Sequence, residues 1–267
     1  MNTDVTVVIP VRDDPLVFRC LASIDVDIPA VVVANGSTPE FLRLLEHVCR
    51  GNVRLVVCEQ PGIGTAYNAG IAAADTDWVL LMDSDCVFRQ GALTAMLKHA
   101  DGERMVKGRV EFEGTGWQTR LTARARRCCE DPLLTGRVNA YSPPLLYPKA
   151  IVGRMDGRHF DDRLAWREDR DFELRRRKAG LPVVFEPDGV IVHKPLSIRQ
   201  DLASVRSYGG GQRRGERLGI LPRFTARHEL RKVARIGRRA IRQDGPAVAA
   251  YSVSRYLMLW WARAVTR

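Results

Sequence analysis

Short runs of apolar and β-branched residues alternate with segments of helical spacing along the first hundred residues. The apolar runs lie at 5–9, 30–33, 53–57 and 78–82. The helix-like segments between them lie at about 15–24, 39–50 and 64–74. This alternation is typical of a parallel sheet covered by helices, and strands that are apolar throughout suit burial on both faces. We therefore predict an α/β fold in which the four strand ends open on one edge of the sheet.

The pattern changes in the second half of the chain. It predicts a strand at 105–114, a helix at 117–132 and a pair of strands at 180–194 around a Pro-Asp-Gly turn. Helical spacing returns at about 199–217, 226–243 and 247–265. Gly209, Gly210 and Gly211 interrupt the first of these helices, and we expect a hinge or a mobile loop there.

Charge is concentrated in the C-terminal segment. The whole chain of 267 residues has a formal net charge of +11. Residues 196–267 contain 16 Lys+Arg and 4 Asp+Glu, so the rest of the chain is nearly neutral. A segment of this kind suits contact with anionic lipid, nucleic acid or an anionic substrate, or is simply a solvated helical face.

Cysteine usage and the N-terminal sequence bear on the compartment. The six cysteines include no C-x-x-C pair, and the first fifteen residues contain no basic and apolar secretion signal. We therefore expect a reducing, cytoplasmic setting. The adjacent Cys128 and Cys129 are expected to be inert thiols on a helix.

Two carboxylates, Asp83 and Asp85, follow the apolar run at 78–82 with only Ser84 between them. Open α/β sheets bind ligands at the carboxyl ends of their strands, and paired carboxylates suit a hard cation. An aspartate at this point also begins a turn or caps the helix expected at 89–100. The pattern alone leaves ligand binding and capping about equally open.

A second acidic cluster contains Glu168, Asp169 and Asp171 and begins a predicted helix. Acidic residues favour the first turn of any helix, so the cluster alone does not indicate a site. Trp166 precedes it, and His193 ends a later apolar strand, and these neighbours favour a site. A histidine at a strand end is by itself more often structural than a ligand.

Helical spacing also predicts how the rest of this helix is arranged. At about 100° per residue, Asp169 and Glu173 share a face with Phe172. The four cations that follow are expected to face water near the C-terminus of the helix, where positive charge is favoured. They are Arg175, Arg176, Arg177 and Lys178.

Five stretches together resemble the family 2 glycosyltransferases, in that family's order and spacing. They are VTVVIPVRD, VVVANGST, GIGTAYNAGIAAADTDWVLLMDSD, FDDRLAWREDRDFELRRRKAG and VIVH. The resemblance implies a GT-A fold, with a Rossmann-like, mainly parallel central sheet and helices on both faces. It implies a catalytic domain at 1–195, with a nucleotide-sugar-binding half at 1–100 and an acceptor-binding half at 101–195, followed by a basic helical region at 196–267.

The resemblance also implies a reaction and a cofactor. A sugar would pass from a nucleoside-diphosphate sugar to a hydroxyl-bearing acceptor with inversion, and Asp169 falls on the position of the general base. Asp83 and Asp85 fall on the Asp-x-Asp motif that serves the metal and the nucleotide, and His193 would complete the metal shell. The cofactor is expected to be Mg²⁺ or Mn²⁺, because carboxylate and phosphate oxygens suit hard cations.

The family pattern further assigns substrate-binding residues. Trp166 and Glu168 are expected to bind the acceptor, although a tryptophan at this position also suits a core. Gly62 and Gly64 also suit a tight turn between strand and helix. The nucleotide-sugar-binding residues are expected to be Pro10, Val11, Arg12, Asn35, Gly62, Gly64, Asn68, Asp83 and Ser84.

Two positions depart from the family pattern. Ala34 stands where the family usually has an aspartate, and Tyr67 stands where it often has an arginine before Asn68. The donor base is therefore left open among UDP-, dTDP- and GDP-sugars.

The C-terminal segment raises a membrane question. The uncharged runs of 245–265 are shorter than the roughly 20 residues that span a bilayer. The helix either packs on the catalytic domain or lies in a membrane interface beside the cationic helix at 226–243, as a peripheral contact at the inner face. No nucleic-acid module is visible, and we expect no nucleic-acid partner.

Other questions stay open at the level of sequence. The alternatives to the inverting reaction are a retaining glycosyltransferase of the same fold and a protein that binds nucleic acid or membrane through its arginine-rich tail. The sequence does not decide between a monomer and a homodimer. It also does not decide whether residues 207–219 form a lid over the donor or a surface loop.

Overall fold

A computed structural model describes residues 4–100 and 103–266. The strands are β1 (Val5–Val11), β2 (Ala30–Asn35), β3 (Val53–Cys58), β4 (Trp78–Leu81), β5 (Cys86–Phe88), β6 (Met105–Phe112), β7 (Leu145–Pro148) and β8 (Val183–His193). Within the described residues these strands form one mixed sheet in the order β3-β2-β1-β4-β7-β6-β8-β5.

Helices account for most of the remaining described residues. They are α1 (Val17–Ala22), α2 (Pro39–Val48), α3 (Ile63–Ala73), α4 (Ala92–Leu97), α5 (Trp117–Glu130), α6 (Pro132–Thr135), α7 (Glu168–Lys178), α8 (Ile198–Arg217), α9 (Ala226–Asp244) and α10 (Pro246–Val265). A 3₁₀ helix lies at Lys149–Arg154. The chain divides into a first unit, Met1–Val110 with Val138–Val192, and a second unit, Glu111–Arg137 with His193–Arg267.

The four N-terminal strands of the first unit pair in parallel, as the sequence pattern predicts. β1 lies between β2 and β4, with Val7 opposite Ala30 and Val5 opposite Trp78, and β3 pairs with β2. β7 then joins β4 in the antiparallel direction. The four parallel strands therefore present their carboxyl ends on one edge of the sheet, where a ligand site is expected.

The core of the first unit lies on both faces of this sheet. Every residue of β1 is buried, with Val7 and Ile9 in one cluster and Val8 in the other. α3 approaches β1 so closely that a Cβ on Gly70 would lie 2.3 Å from Val8 Cγ1. Each large aliphatic side chain that is fully buried contributes roughly 1.5–3 kcal/mol, so these layers hold the strand ends in place.

The loops after β1 and β2 are joined by a hydrogen-bonded aspartate. Asp13 Oδ1 accepts the backbone N–H of Thr38 at 2.9 Å and its hydroxyl at 3.0 Å. Thr38 is in turn the N-cap residue of α2. Asp13 has a φ of 49°, in the left-handed region, and these contacts offset the strain. The carboxyl edge of the sheet is therefore supported by contacts between its loops.

The predicted strand pair at 180–194 is wrong, because Val183–His193 is a single strand. Glu186 Oε1 accepts the N–H of Asp188 at 2.9 Å, so the Pro-Asp-Gly sequence forms a local irregularity and not a reversal of the chain. A Cβ on Gly108 would lie 2.2 Å from the carbonyl oxygen of Gly189, so the glycines allow β6 and β8 to approach closely.

The predicted hinge at Gly209–Gly211 is also wrong. α8 runs through all three glycines without a break. A Cβ on Gly209 would lie 2.6 Å from the carbonyl oxygen of Leu259 and 2.7 Å from Ala262 Cβ. The glycine therefore allows α8 to pack directly on α10. Residues 207–217 are helical, so this stretch is not a surface loop.

A buried carboxylate joins three helices of the second unit. Asp201 of α8 has no exposed surface. It accepts hydrogen bonds from Arg126 Nε at 2.7 Å, from the Tyr251 hydroxyl at 2.7 Å and from Arg255 Nη2 at 3.2 Å. Burial raises the pKa of Asp201, but the charges of Arg255 and Arg126 outweigh burial and lower it below its ordinary value.

Candidate active site

The turn that contains Asp83 and Asp85 lies directly at the carboxyl end of β4. Met82 continues the pairing by donating its N–H to Val8 O at 3.0 Å, and the chain then turns, with Cys86 N–H donating to Asp83 O at 3.2 Å. Met82 is fully buried, whereas both aspartates are partly exposed. Their location at the carboxyl edge of the parallel strands is as predicted.

Neither aspartate caps α4. That helix begins at Ala92 behind the N-cap residue Gly91, and β5 lies between it and Asp85. Asp25, from elsewhere in the chain, accepts the N–H of Gly91 at 2.8 Å. The capping alternative is therefore wrong, because the N-cap residue of α4 is Gly91.

Tyr67 of α3 holds the first aspartate. Its side chain is fully buried, and its hydroxyl donates to Asp83 Oδ1 at 2.8 Å. Burial and the charge of Asp83 raise the pKa of Tyr67 well above its ordinary value, so the hydroxyl stays protonated and remains a donor. The sequence marked Tyr67 only as a departure from the family arginine. The contact itself was missed.

The second acidic cluster begins α7. Arg167, the residue before the helix, has a φ of 73°, a conformation that non-glycine residues rarely adopt. Asp169 Oδ1 accepts the N–H of Arg170 at 2.6 Å. Glu168 is 7% exposed, and its Oε2 has no hydrogen-bond partner among the described residues. A buried carboxylate oxygen without a donor is costly, and such groups are typical of functional sites.

Glu168 and Asp169, two of the three carboxylates of this cluster, are shifted towards the protonated form. Burial raises the pKa of Glu168 well above its ordinary value, and the charges of Asp169 and Asp83 raise it further. Burial also raises the pKa of Asp169, against the opposing charges of Arg167 and Lys107. Because the charge of Asp83 acts on Glu168, the strand-end turn lies near the start of α7.

Burial is the main cause of the raised pKa of Asp169. Asp171, the third acidic residue of the cluster, accepts a hydrogen bond from Arg175 Nε at 2.8 Å. Lys107, a buried residue of β6, is a cationic neighbour of Asp169 that sequence reasoning missed. No sequence signal separates Lys107 from the many other basic residues of the chain.

The loop before α3 is held by Asn35. The side-chain Oδ1 of Asn35, at the end of β2, accepts the N–H of Gly62 at 3.0 Å. Gly62 is the N-cap residue of α3 and has no side chain to bond the first turn of the helix. The N–H groups of this turn therefore point towards the carboxyl edge of the sheet without a side-chain cap, as an anion-binding turn requires.

Two other residues assigned to the nucleotide sugar contact protein. A Cβ on Gly64 would lie 3.3 Å from Phe160 Cβ and 3.4 Å from Glu168 Cβ, so the glycine allows α3 to pack closely on the start of α7. Asn68 Nδ2 donates to Phe160 O at 3.0 Å and to Asp162 Oδ1 at 2.6 Å. Nucleotide-sugar binding by Gly64 and Asn68 stays a prediction.

The remaining assigned residues of the first unit differ in exposure. Pro10 and Val11 are buried in β1, whereas Arg12, the first residue after β1, is exposed. Ser84 is partly exposed between the two aspartates. Trp166 is 40% exposed, so it is not a core residue and presents ring surface to solvent.

His193 ends β8 and is grouped with the second unit. Its Nδ1 lies 2.8 Å from Lys194 O, and its ring centroid lies 5.3 Å from that of Phe112. Its assignment as a metal ligand stays a prediction.

The prediction that the cations of α7 face water is wrong for two of them. Arg176 is 8% exposed and donates to Glu173 Oε2 at 2.7 Å, and the Arg175 side chain is 12% exposed and pairs with Asp171. Glu173 is 2% exposed and also accepts the N–H of Ala140 at 2.9 Å. A buried carboxylate requires such partners, which explains why the arginines turn inward.

The family model "Glycosyl transferase family 2" matches residues 6–179. The chain belongs to glycosyl transferase family 2. The resemblance recognised in the five sequence motifs is therefore confirmed.

Relatives of this family 2 chain include two mycobacterial proteins. A pre-mycofactocin glycosyltransferase of Mycobacterium tuberculosis is 26% identical over 229 residues, which are 79% of this chain and 47% of that protein. An uncharacterized glycosyltransferase of Mycobacterium bovis is 34% identical over 107 residues, which are 39% of this chain and 48% of that protein. The chain spans about half the length of these relatives.

A solved structure shows the same fold. S. aureus TarS 1-349 in complex with UDP-GlcNAc matches this family 2 chain with a TM-score of 0.56 at 14% identity, covering 94% of this chain and 89% of that chain. The mixed central sheet with flanking helices and this match confirm the predicted GT-A fold.

Proposed function

We propose that the chain transfers a sugar from a nucleoside-diphosphate sugar to a hydroxyl group of an acceptor, with inversion at the anomeric carbon. One observation carries the proposal. Helix α3 contacts both the turn that contains Asp83 and Asp85 and the start of α7: the Tyr67 hydroxyl donates to Asp83 Oδ1 at 2.8 Å, and Gly64 lies against Glu168. Asp83 and Asp85 suit a diphosphate and its cation, and Asp169 suits proton transfer.

The donor is proposed to bind at the carboxyl edge of β1 to β4, in the half formed by residues 1–100. The uncapped first turn of α3 behind Gly62 supports this, because backbone N–H groups at a helix start attract phosphate. A UDP-sugar is the first donor to test, since the structurally similar TarS binds UDP-GlcNAc. The acceptor is proposed to bind in the half formed by residues 101–195, with the basic helical region at 196–267 following.

The chemistry of the donor set fits a divalent cation. Asp83 and Asp85 offer hard carboxylate oxygens, and Tyr67 engages Asp83 through Oδ1 and fixes its orientation. Asp83 and Asp85 would hold Mg²⁺ or Mn²⁺, and His193 stays a predicted further ligand. When bound, the cation would supply Lewis-acid neutralisation of the charge on the diphosphate.

Asp169 is proposed to accept the proton of the acceptor hydroxyl. Burial raises the pKa of Asp169, and a stronger base is a better match to a hydroxyl proton. The N–H of Arg170 holds one of its oxygens at 2.6 Å and fixes the direction of the carboxylate. Attack from the side of this base, opposite the departing diphosphate, inverts the anomeric carbon.

Two neighbours of the base are proposed to position the acceptor. Glu168 Oε2 has no donor among the described residues, and an acceptor hydroxyl would satisfy it. Trp166, with 40% of its surface exposed, offers an apolar platform for a sugar face. These roles concern binding and orientation, and neither residue moves the reacting proton.

A thermal-shift panel tests donor and metal binding. The protein is heated with UDP, dTDP and GDP and their sugars, each with Mg²⁺, with Mn²⁺ or with a chelator. A ligand that binds only the folded state raises the melting temperature. We expect a metal-dependent rise with one nucleotide, and we expect Asp85→Ala to abolish it.

The matched control is Asp77→Ala, which removes an exposed aspartate near the start of β4. This variant should keep the full shift. Absence of a shift with every nucleotide, or a shift that is indifferent to metal and to Asp85, would contradict the donor site.

Product analysis tests the stereochemistry. Nuclear magnetic resonance of the product, with a donor of known anomeric configuration, should show the opposite configuration. Retention would remove Asp169 from the role of base in a single displacement.

A further inference from the structure

The cationic helix α9 presents a continuous row of arginines. Five of its arginines are exposed and fall within roughly 80° of arc at about 100° per residue. The row extends along about 22 Å of the helix, at 1.5 Å per residue. We call it the arginine stripe, and its members are Arg227, Arg231, Arg235, Arg238 and Arg242.

The opposite face of α9 fixes how the stripe is displayed. Ile236 is 5% exposed and Ala240 is fully buried, the latter in a cluster with Val248 of α10. Arg239, at the edge of the stripe, donates to the carbonyl oxygen of Cys128 at 2.7 Å. The helix is therefore anchored within the second unit, and the stripe is held on its solvent side.

The acidic residues of α9 do not neutralise the stripe. Glu229 is 4% exposed, and the side chain of Asp244 is 5% exposed and pairs with Arg127 at 2.9 Å. Across residues 4–100 and 103–266, no carboxylate forms an ion pair or a hydrogen bond with an arginine of the stripe. Its charge is therefore available to a polyanionic partner.

Apolar side chains border the stripe along one side. Leu230 is 59% exposed and Ile241 is 58% exposed, and both lie about 80–100° from the centre of the stripe in the same direction. Cationic and exposed aliphatic residues side by side on one helix are typical of a helix that lies in a membrane interface.

The neighbouring helix adds exposed apolar surface of the same kind. α10 contacts α9, with Lys232 Nζ 5.2 Å from the ring centroid of Tyr256. α10 exposes about half of the surface of Leu257, Trp261 and Val265, which are spaced four residues apart. Tryptophan is favoured at the level of lipid headgroups, whereas exposed leucine, isoleucine and valine contribute nothing to phosphate binding by a nucleic-acid-binding helix.

We propose that the arginine stripe docks the protein on an anionic phospholipid surface, with Leu230 and Ile241 entering the headgroup region. Across the described residues no helix has the length and hydropathy that crossing a bilayer requires, so the proposed contact is peripheral. The proposal goes beyond sugar transfer and does not depend on it, because every residue in it belongs to the second unit.

Co-sedimentation with vesicles tests the proposal. The full chain is mixed with vesicles of equal parts phosphatidylglycerol and phosphatidylcholine, or of phosphatidylcholine alone, at low and high salt. We expect binding to the anionic vesicles at low salt, weaker binding at high salt and little binding to phosphatidylcholine. Equal binding to both vesicle types, or binding to neither, would overturn the proposal.

A triple variant locates the binding surface. Substitutions Arg231→Gln, Arg235→Gln and Arg238→Gln should weaken partitioning onto anionic vesicles about 100-fold, since each arginine near such a surface contributes roughly five-fold. The matched control is Arg19→Gln, Arg43→Gln and Arg50→Gln, which removes three exposed arginines of the first unit. This control should bind anionic vesicles like the parent. Equal losses of binding in the two variants would show that only net charge matters, and would overturn the proposal that the arginine stripe is the binding surface.

A second pair of variants tests the apolar border. Leu230→Ser with Ile241→Ser should weaken the binding that survives high salt, whereas Leu44→Ser with Val48→Ser, from the exposed face of α2, should not. Circular dichroism confirms that each variant is folded.

A gel shift with a short DNA duplex tests whether the stripe binds nucleic acid instead of anionic lipid. Binding of the duplex through the stripe, with no binding to anionic vesicles, would replace the membrane proposal with a nucleic-acid one. Vesicle binding that persists in the presence of excess duplex would support the membrane proposal.

Discussion

The hydroxyl of Tyr67 donates a 2.8 Å hydrogen bond to Asp83 Oδ1 and thereby connects helix α3 to the turn at the carboxyl end of β4. Tyr67 is fully buried, and its ring packs on Phe160 with centroids 5.5 Å apart. Asp83 lies on a turn and is only partly buried, so this bond restricts its rotation. The tyrosine that replaces the usual arginine of the family thus acts on the carboxylate side of the proposed donor site.

Substitution Tyr67→Phe tests this positioning role. It removes the hydroxyl and leaves the ring contacts in place. A hydrogen bond to a charged group contributes roughly 1.5–3 kcal/mol, so we expect the KM for the donor to rise about ten-fold or more and the metal concentration for half-maximal activity to rise with it. Steady-state kinetics with varied donor and metal measure both.

Tyr147→Phe is the matched control for that variant. Tyr147 is also fully buried, and its hydroxyl lies 3.1 Å from His159 Nδ1, away from Asp83. The control should lose stability and keep the donor KM of the parent. The same rise in KM in both variants would show that Tyr67 supports the fold and does not position Asp83.

Substitution Glu168→Gln should change the pH dependence of stability. Burial raises the pKa of Glu168 in the folded chain above its value in the unfolded chain. At a pH below the unfolded-chain pKa, Glu168 is protonated in both states and its contribution to stability is fully present. That contribution is lost as pH rises through the folded pKa. The parent should therefore lose stability from about pH 4.5 upward relative to Glu168→Gln, whose amide does not titrate.

Chemical denaturation of both proteins across this pH range measures the difference. The difference in unfolding free energy between parent and variant should change with pH in the stated direction. A constant difference at every pH would mean that Glu168 has the same pKa in the folded and unfolded chain.

Substitution Asp201→Asn should destabilise the second unit strongly. It leaves Arg126 and Arg255, both nearly buried, without their shared carboxylate. Breaking a buried ion pair in this way costs roughly 3–5 kcal/mol, whereas an exposed pair contributes about 1 kcal/mol or less. Glu103→Gln, which removes an exposed partner of Arg154, is the control.

Urea denaturation followed by far-ultraviolet circular dichroism compares these two variants. Equal midpoints for Asp201→Asn and Glu103→Gln would show that the buried cluster contributes no more than a surface pair.

The sequence predicts the sheet well where burial alone determines structure. β1, β2 and β4 were recognisable because their residues are apolar on both faces, and Asp83 and Asp85 were recognisable because they follow such a run directly. β3 differs, because it includes the exposed Arg54 and is only partly buried. Strand order then places the carboxylates of Asp83 and Asp85 at the carboxyl edge of the parallel strands, where open α/β sheets bind ligands. These inferences need only local pattern and the handedness of the crossovers.

The errors of prediction arise where tertiary packing overrides local preference. The run Gly209–Gly211 has the composition of a hinge, but Gly209 lies against Leu259 and Ala262 of α10, where its lack of a side chain permits close packing. Arg176 has the spacing of a solvated cation, but Glu173, three residues before it on α7, is buried and draws it inward. Helical periodicity shows neither the contact of Gly209 with α10 nor the burial of Glu173.

Electrostatics within the site were predictable only in part. The presence of Asp169 and Glu168 was evident, but the main cause of their raised pKa values is burial. Burial depends on packing, such as the close approach of α3 to Glu168 that Gly64 allows. The hydrogen bond from Tyr67 to Asp83 likewise requires the fold, because the two residues lie on different elements.

The most direct test of the roles proposed for Asp169 as base and Asp85 in metal-dependent donor binding compares Asp169→Asn with Asp85→Ala. Both variants are measured in two assays on the same protein preparations. Calorimetry measures binding of the nucleotide sugar with and without metal, and single-turnover kinetics measure sugar transfer. Asp169→Asn should bind donor like the parent and transfer sugar roughly 100- to 10,000-fold more slowly, whereas Asp85→Ala should lose metal-dependent donor binding. Transfer at the parent rate by Asp169→Asn would contradict the account.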